Sequence, residues 1–283
     1  LSQLASKQIK VALSGDGGDE LFCGYNRYKS TNNWSNKFDL IPRSVRKILA
    51  NGIKSISQDK LNSLLNLLPN LNEYASQGYK IKSINALEAK NLSDLYYVLS
   101  SHWQNPTDAV KGSKEPGTFL TKFQPKLLNL NNHQTMMALD QITYLPNDIL
   151  VKVDRTSMAS SMEARVPFLD HRLIEYSWKI PYSLKFRNGK SKWILRKILK
   201  NYVPESLTER PKMGFGIPLN DWLKGSLREW AENLLDENKL SQEGYFNPKL
   251  IREKWEDYIS NQNKLLYDLW NVLMFQAWRD ENN

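Results

Sequence analysis

Apolar positions along this chain recur mostly at helical spacing, with one clear exception near the start. In residues 8–14, Ile9, Val11 and Leu13 fall on one face of an alternating pattern, which reads as a β-strand. Gly15, Gly17 and Gly18 then break the chain, and a helical pattern follows in which Leu21, Phe22, Tyr25 and Tyr28 share a face. Residues 43–56 follow Ile41-Pro42 and carry Val45, Ile48, Leu49, Ile53 and Ile56, a helix. Further helices are expected over 60–68, over 94–103 behind a Ser93 cap, and over 134–144 and 148–161. The last two are separated by Leu145-Pro146-Asn147, with Asn147 as the second cap. The pattern continues through 191–201, 248–259 and 263–279, where Trp255, Tyr258, Leu269, Trp270, Leu273 and Trp278 read as core. Residues 104–118, with Pro106, Gly112, Pro116 and Gly117, read as a loop.

One strand is not a sheet, because its backbone groups need a ladder partner. The partners are either short strands hidden by weak alternation or strands that precede Leu1. No internal repeat or low-complexity segment interrupts the organisation.

Composition narrows the class. Of 283 residues, 41% are hydrophobic and 11% aromatic, enough for a sizeable core and against disorder. No apolar run approaches the ~18 residues of a membrane span, so no membrane partner is expected. The chain opens on Leu1 rather than Met and without a secretory signal, as a processed fragment does. The single cysteine, Cys23, excludes an internal disulfide and suits a reducing cytoplasm. It lies among Leu21, Phe22 and Gly24 and reads as a buried, inert thiol. The net charge of +9 is spread along the chain, reads as solvated helix faces, and carries no nucleic-acid signature.

Three constellations carry chemistry. The first is Ser14-Gly15-Asp16-Gly17-Gly18-Asp19-Glu20, between strand and helix. Ligands of open parallel sheets bind at the carboxyl ends of strands, and glycines there admit close backbone approach. Asp19 and Glu20 suit a helix N-terminus, whereas Asp16 has no such duty. Carboxylates at this density point to a cation, and magnesium on nucleotide phosphates needs only one or two of them. A glycine turn with helix-capping acids would look the same. The spacing matches neither an EF-hand nor a P-loop.

The second runs from Tyr144 to Asp170 and gathers Asp148, Lys152, Asp154, Arg155, Glu163 and Arg165 among apolar residues. Buried charges must pair, so this is either a salt-bridge network or a set of groups facing a substrate carboxylate. The third is Asn188-Gly189-Lys190-Ser191-Lys192 followed by Arg210-Pro211-Lys212-Met213-Gly214-Phe215-Gly216. It reads as a solvated basic loop, or as a mobile lysine that stabilises growing phosphoryl charge.

The first constellation, continued by Leu21-Phe22 and Gly24-Tyr25, resembles the second nucleotide-site motif of the asparagine synthetase family. That family writes Phe-Gly-Gly-Tyr, so Cys23 stands where a glycine is usual. Residues 144–170 are similar to the family's long signature, and Lys212 matches the lysine of its Arg-x-Lys-x-Gly-Phe stretch. The three blocks occur in the family's order, while residues 31–130 match loosely.

The resemblance implies a mostly helical α/β chain, the C-terminal part of an adenine-nucleotide alpha-hydrolase-like (ATP pyrophosphatase) domain with a residual parallel-strand element. Residues 1–30 would form the nucleotide-site strand, loop and helix, and 31–283 the helical part. The implied reaction is adenylation of a carboxylate by ATP, then displacement of AMP by ammonia derived from glutamine. The carboxylate is the aspartate side chain in asparagine synthetases; relatives cyclise one substrate or amidate sugar acids. Asp16 and Asp19 would serve magnesium and pyrophosphate with Ser14, Gly15, Gly17, Gly18 and Glu20. Lys212 would stabilise the leaving pyrophosphate, and Tyr25, Asp148, Asp154, Arg155, Glu163 and Arg165 would shape the acceptor side. The family's glutaminase domain and its Ser-Gly-Gly-x-Asp-Ser pyrophosphatase loop are expected upstream. The chain by itself is therefore expected to hold half of the ATP site and to be inactive. A non-catalytic binding module is the reading from another class.

Overall fold

A computed structural model describes residues 1–56, 84–103, 105–122, 129–208, 217–260 and 267–282. The described chain is mostly helical with two very small sheets. It divides into two compact units, Leu1–Leu40 with Thr118–Lys212 and Ile41–Gly117 with Met213–Asn283.

The first unit opens with a helical turn, α1 (Ser2–Ala5), and strand β1 (Val11–Leu13). The strand is shorter than the expected 8–14 because its partner offers only three register positions. That partner is β2 (Glu163–Arg165), parallel to β1, with Val11, Ala12 and Leu13 opposite Glu163, Ala164 and Arg165. β2 lies inside the signature segment, where Glu-Ala-Arg shows no apolar alternation. Side chains alternate across a strand, so Val11, Leu13, Glu163 and Arg165 share one face. That face is open, with Leu13 74% exposed.

After the acidic loop come α2 (Gly18–Leu21) and α3 (Asn26–Asp39). The apolar pattern predicts one continuous helix here. Instead Cys23 adopts φ 57°, which no helix tolerates, and the chain turns before Tyr25. Leu21, Phe22 and Tyr28 are all buried, but from either side of that break.

Helix α4 (Asn132–Ile142) begins with a capping box between Asn131 and Gln134. A π-helical turn, Leu145–Ile149, leads directly into α5 (Leu150–Met158). Asn147 is not a cap: its backbone N–H donates to the Thr143 carbonyl at 3.1 Å, within a continuing helical path. Pro146 sits in the first turn, where a missing N–H costs little. Beyond β2, α6 (His171–Lys179) is capped by Asp170, and α7 (Tyr182–Lys185) precedes a hairpin. The hairpin pairs β3 (Phe186–Arg187) with β4 (Lys190–Ser191). Asn188 and Gly189 both take positive φ, as a tight hairpin turn requires. Helix α8 (Trp193–Leu199) follows at once.

The second unit contains helices Arg43–Ser55, Leu92–Ser100, Pro248–Ser260 and Tyr267–Asn282 among others. Its core gathers Leu235, Leu240, Trp255, Tyr258 and Leu273, each fully buried. Burying side chains of this size stabilises by about 1.5–3 kcal/mol each. Trp278, expected in the core, is instead 60% exposed. The cap of Leu92–Ser100 is Asn91, not Ser93, its side chain accepting from the Asp94 N–H at 2.9 Å. Within the expected 104–118 loop lies one helical turn, Pro106–Ala109, which buries Ala109. The expected helix over 60–68 and residues 210–216 lie outside the described residues. Among the described residues, no helix is long and apolar enough to cross a membrane.

Candidate active site at the acidic glycine loop

The loop begins where the ladder ends. The Ser14 N–H donates to the Arg165 carbonyl at 2.8 Å, the last bond between the two strands. The chain therefore leaves the sheet at Gly15, at the carboxyl end of β1, where ligands of parallel sheets bind. The Ser14 hydroxyl donates to the Asp16 carboxylate, and the Asp16 N–H donates back to Ser14 Oγ at 3.4 Å. Gly17 takes φ 81°, and a Cβ there would lie 2.7 Å from Leu169 Cδ2. Glycine suits this position by its conformation, and any side chain there would also displace the Leu169 side chain.

Asp19 is held from the hairpin side. Its Oδ2 lies 2.9 Å from Lys192 Nζ, with both side chains mostly covered. Lys192 takes φ 52° between β4 and α8, and its N–H donates to the Phe22 carbonyl at 3.1 Å. A Cβ on Gly24 would sit 2.1 Å from Asp19 Oδ1 and 2.4 Å from Lys192 Cε. The absence of a side chain at Gly24 is what lets the pair form.

Behind the loop is a buried polar layer. Glu20 is 1% exposed and accepts from the Tyr25 hydroxyl at 2.6 Å. Burial raises the Glu20 carboxyl above its usual range, and the Tyr25 hydrogen bond works against that rise. The Tyr25 phenol is likewise pushed up, first by burial and then by Glu20. The Glu20 carbonyl accepts from Gln141 Nε2 at 3.2 Å, and Gln141 Oε1 accepts from Trp178 Nε1 at 3.1 Å. The Arg27 guanidinium lies 4.2 Å from the Tyr25 ring centre and 4.3 Å from that of Tyr144. It pairs with buried Asp140 at 2.5 Å, which also accepts from the Tyr28 hydroxyl at 2.6 Å. Cation–π contacts of this kind contribute about 0.5–2 kcal/mol each and keep the Tyr25 ring in one orientation.

The remaining expected site residues are distributed as follows. Asp148 is exposed on the π-helical turn. Its charge helps raise the Tyr144 phenol, after burial, the larger cause. Lys152, Asp154 and Arg155 are exposed on α5, so the dense charge expected to be buried faces solvent there. Glu163 and Arg165 pair with each other at 2.7 Å, also exposed. Arg165 is the residue opposite Leu13, which brings the signature segment beside the acidic loop. Lys212 lies outside the described residues.

Lys192, part of the third constellation, shapes the loop through Asp19. Arg27, Asp140 and Gln141, which carry no local signal in the sequence, shape it through contacts between segments distant in sequence.

Among the described residues, no three His, Cys, Asp or Glu side chains are grouped to hold a metal by themselves. Asp16 is engaged by the Ser14 hydroxyl and Asp19 by Lys192, so each of the two loop carboxylates already has a partner.

The profile of the asparagine synthase family matches residues 1–280. The chain belongs to the asparagine synthase family. It is 30% identical to asparagine synthetase (glutamine-hydrolyzing) 1 of Bacillus subtilis, over 98% of this chain and 41% of that protein. Asparagine synthetase (glutamine-hydrolyzing) 3 of the same organism is 36% identical over 51% of this chain and 25% of that protein. The amidase chyE of Penicillium rubens is 22% identical over 91% of this chain and 39% of its own length. The chain thus spans about two fifths of the length of relatives matched along nearly all of it. No solved structure matches. The asparagine synthase match takes in the acidic loop, the signature segment and the hairpin with Lys192.

Proposed function

We propose that this chain is the synthetase part of an ATP-dependent amide-forming ligase. ATP adenylates a carboxylate with release of pyrophosphate, and ammonia released from glutamine displaces AMP to form the amide. A free carboxylate is a poor electrophile, and AMP is a good leaving group. The supporting observation is the acidic loop at the carboxyl end of β1, with Asp19 tied to Lys192 at 2.9 Å.

On this reading the parallel pair of strands belongs to an adenine-nucleotide alpha-hydrolase-like sheet. Ser14, Gly15, Gly17 and Gly18 let the loop backbone approach the phosphates. Asp16 and Asp19 offer carboxylates to magnesium, which when bound neutralises charge on the nucleotide phosphates. Glu20, buried under Tyr25, acts by holding the loop rather than by touching nucleotide. Lys212 is assigned, from the family resemblance, to the charge that develops on the leaving pyrophosphate. Tyr25, Asp148, Asp154, Arg155, Glu163 and Arg165 are assigned to the acceptor side. The acceptor is the side-chain carboxylate of aspartate; another carboxylate, such as a sugar acid, is the alternative. The glutaminase and the pyrophosphatase loop are assigned to the remainder of the protein, in the cytoplasm.

The direct test is calorimetric titration with magnesium-ATP and magnesium-pyrophosphate, beside an Asp16→Ala/Asp19→Ala variant. Loss in the variant of the magnesium-dependent binding, the part that EDTA abolishes, supports the loop as the nucleotide site; magnesium-dependent binding unchanged by the variant refutes the assignment. Pyrophosphate release by the full-length protein, supplied with ammonia and a panel of carboxylates, then identifies the acceptor.

A further inference from the structure

We infer that the β3–β4 hairpin and α8 form a second anion site, for a compact phosphate-bearing polyanion, around the indole of Trp193. Trp193, Arg196, Lys197 and Lys200 stand at i, i+3, i+4 and i+7 and so share one helical face. The left-handed Asn188-Gly189 turn sets Arg187 opposite Lys190 across the hairpin. Together these six side chains line a cleft of 240 Å³.

The cations are arranged rather than scattered. The Arg187 guanidinium lies 5.1 Å from the Trp193 ring centre, and Lys197 Nζ lies 5.6 Å from it. Arg196 Nε donates to the Ser191 carbonyl at 3.0 Å, which fastens hairpin to helix. Lys200 has its own partner, Glu205, at 2.7 Å. Arg187 and Lys197 have no carboxylate partner among the described residues.

Size selects the ligand class. Sites for drug-sized molecules run to about 300–1,000 Å³, so this cleft suits a small, highly charged group. The indole is already engaged by two cations, and a nucleobase would have to displace them to stack. A phosphate chain needs only the two cationic heads. The site lies on the hairpin and α8, not on the acidic loop, and does not depend on the ligase reading.

The test is titration of the 283-residue chain with inorganic tripolyphosphate in EDTA, which removes metal-dependent binding at the acidic loop. Arg187→Gln/Lys197→Gln should weaken binding about tenfold or more, the loss expected for two charge-assisted contacts. Lys29→Gln/Lys37→Gln, which makes the same change in net charge on exposed positions of α3, should retain the wild-type affinity. Near-UV circular dichroism checks that each variant is folded, and Lys197→Gln alone serves if the double variant is not. Absence of binding by the wild-type chain, undiminished binding in the Arg187/Lys197 variant, or equal weakening in the α3 control would each overturn the site. Citrate binding as tightly as tripolyphosphate would overturn the phosphate class.

Discussion

Lys192 and Asp19 meet at 2.9 Å across the base of the acidic loop, in space that exists only because Gly24 has no side chain. A lysine from the hairpin junction thereby holds a carboxylate of the loop, and a glycine five residues beyond Asp19 in sequence permits it.

Gly24→Ala should therefore separate the pair. Forcing a methyl group within 2.1 Å of Asp19 Oδ1 should cost about 1–3 kcal/mol of stability and weaken magnesium-ATP binding. Gly52→Ala, in the helix Arg43–Ser55, is the control, since nothing lies within 4 Å of the place its new methyl group would take. Thermal unfolding and nucleotide titration of both variants decide the matter: equal behaviour of the two would remove the steric explanation.

Cys23 occupies a left-handed conformation at φ 57°, where the family's usual glycine is at ease. Cys23→Gly relieves strain of about 1 kcal/mol but loosens the unfolded chain and gives up a buried side chain. These effects oppose one another, so denaturant unfolding should show a net change within about 1 kcal/mol. Burial also pushes the thiol up to about 12, so native Cys23 should resist alkylation at neutral pH and react only on unfolding.

Glu20 gives a pH signature. Its folded-state pKa is raised by burial, so the protonated form is favoured in the fold. Its contribution to stability is fully present below the unfolded value near 4.5 and is lost as pH rises through the folded value. Glu20→Gln keeps an acceptor for the Tyr25 hydroxyl and removes the titration. The stability of wild type minus variant should fall with rising pH above about 4.5. A difference that stays flat, or rises, would falsify this account.

Lys185 is 1% exposed, with its ammonium 5.0 Å from the Trp178 ring and 5.9 Å from that of Phe22. Burial lowers the amine to about 8. A depressed lysine contributes stability present above its unfolded value, and that contribution is lost as pH falls through the folded value. Relative to Lys185→Met, the wild-type chain should lose stability from pH 10.5 down to about 8 and stay level below. The methionine variant should be more stable at pH 7 by on the order of 1–3 kcal/mol, after the ring contacts are discounted. A variant less stable than wild type at pH 7 would show that those contacts outweigh desolvation.

Local signals were legible where a segment's chemistry is self-contained. Glycines and carboxylates marked the loop at Ser14–Glu20, and apolar spacing marked the helices Arg43–Ser55 and Pro248–Ser260 in their places. Less legible were elements whose reason lies elsewhere in the chain. β2 is three residues of Glu-Ala-Arg whose only cause to be a strand is the ladder offered by β1. The break at Cys23 is hidden in a helical pattern because Leu21, Phe22 and Tyr28 stay buried on either side of it.

The sequence by itself determined the family, the motif order and the place of the acidic glycine loop, because these depend on residue types at short spacing. Tertiary structure alone decided that Lys192 holds Asp19, that Arg27 lies against the rings of both Tyr25 and Tyr144, and that five cations line one cleft with Trp193. Charge and ring contacts act over a few ångströms in space. Residues more than a hundred positions apart, such as Arg27 and Asp140, come within that range only when the chain is folded.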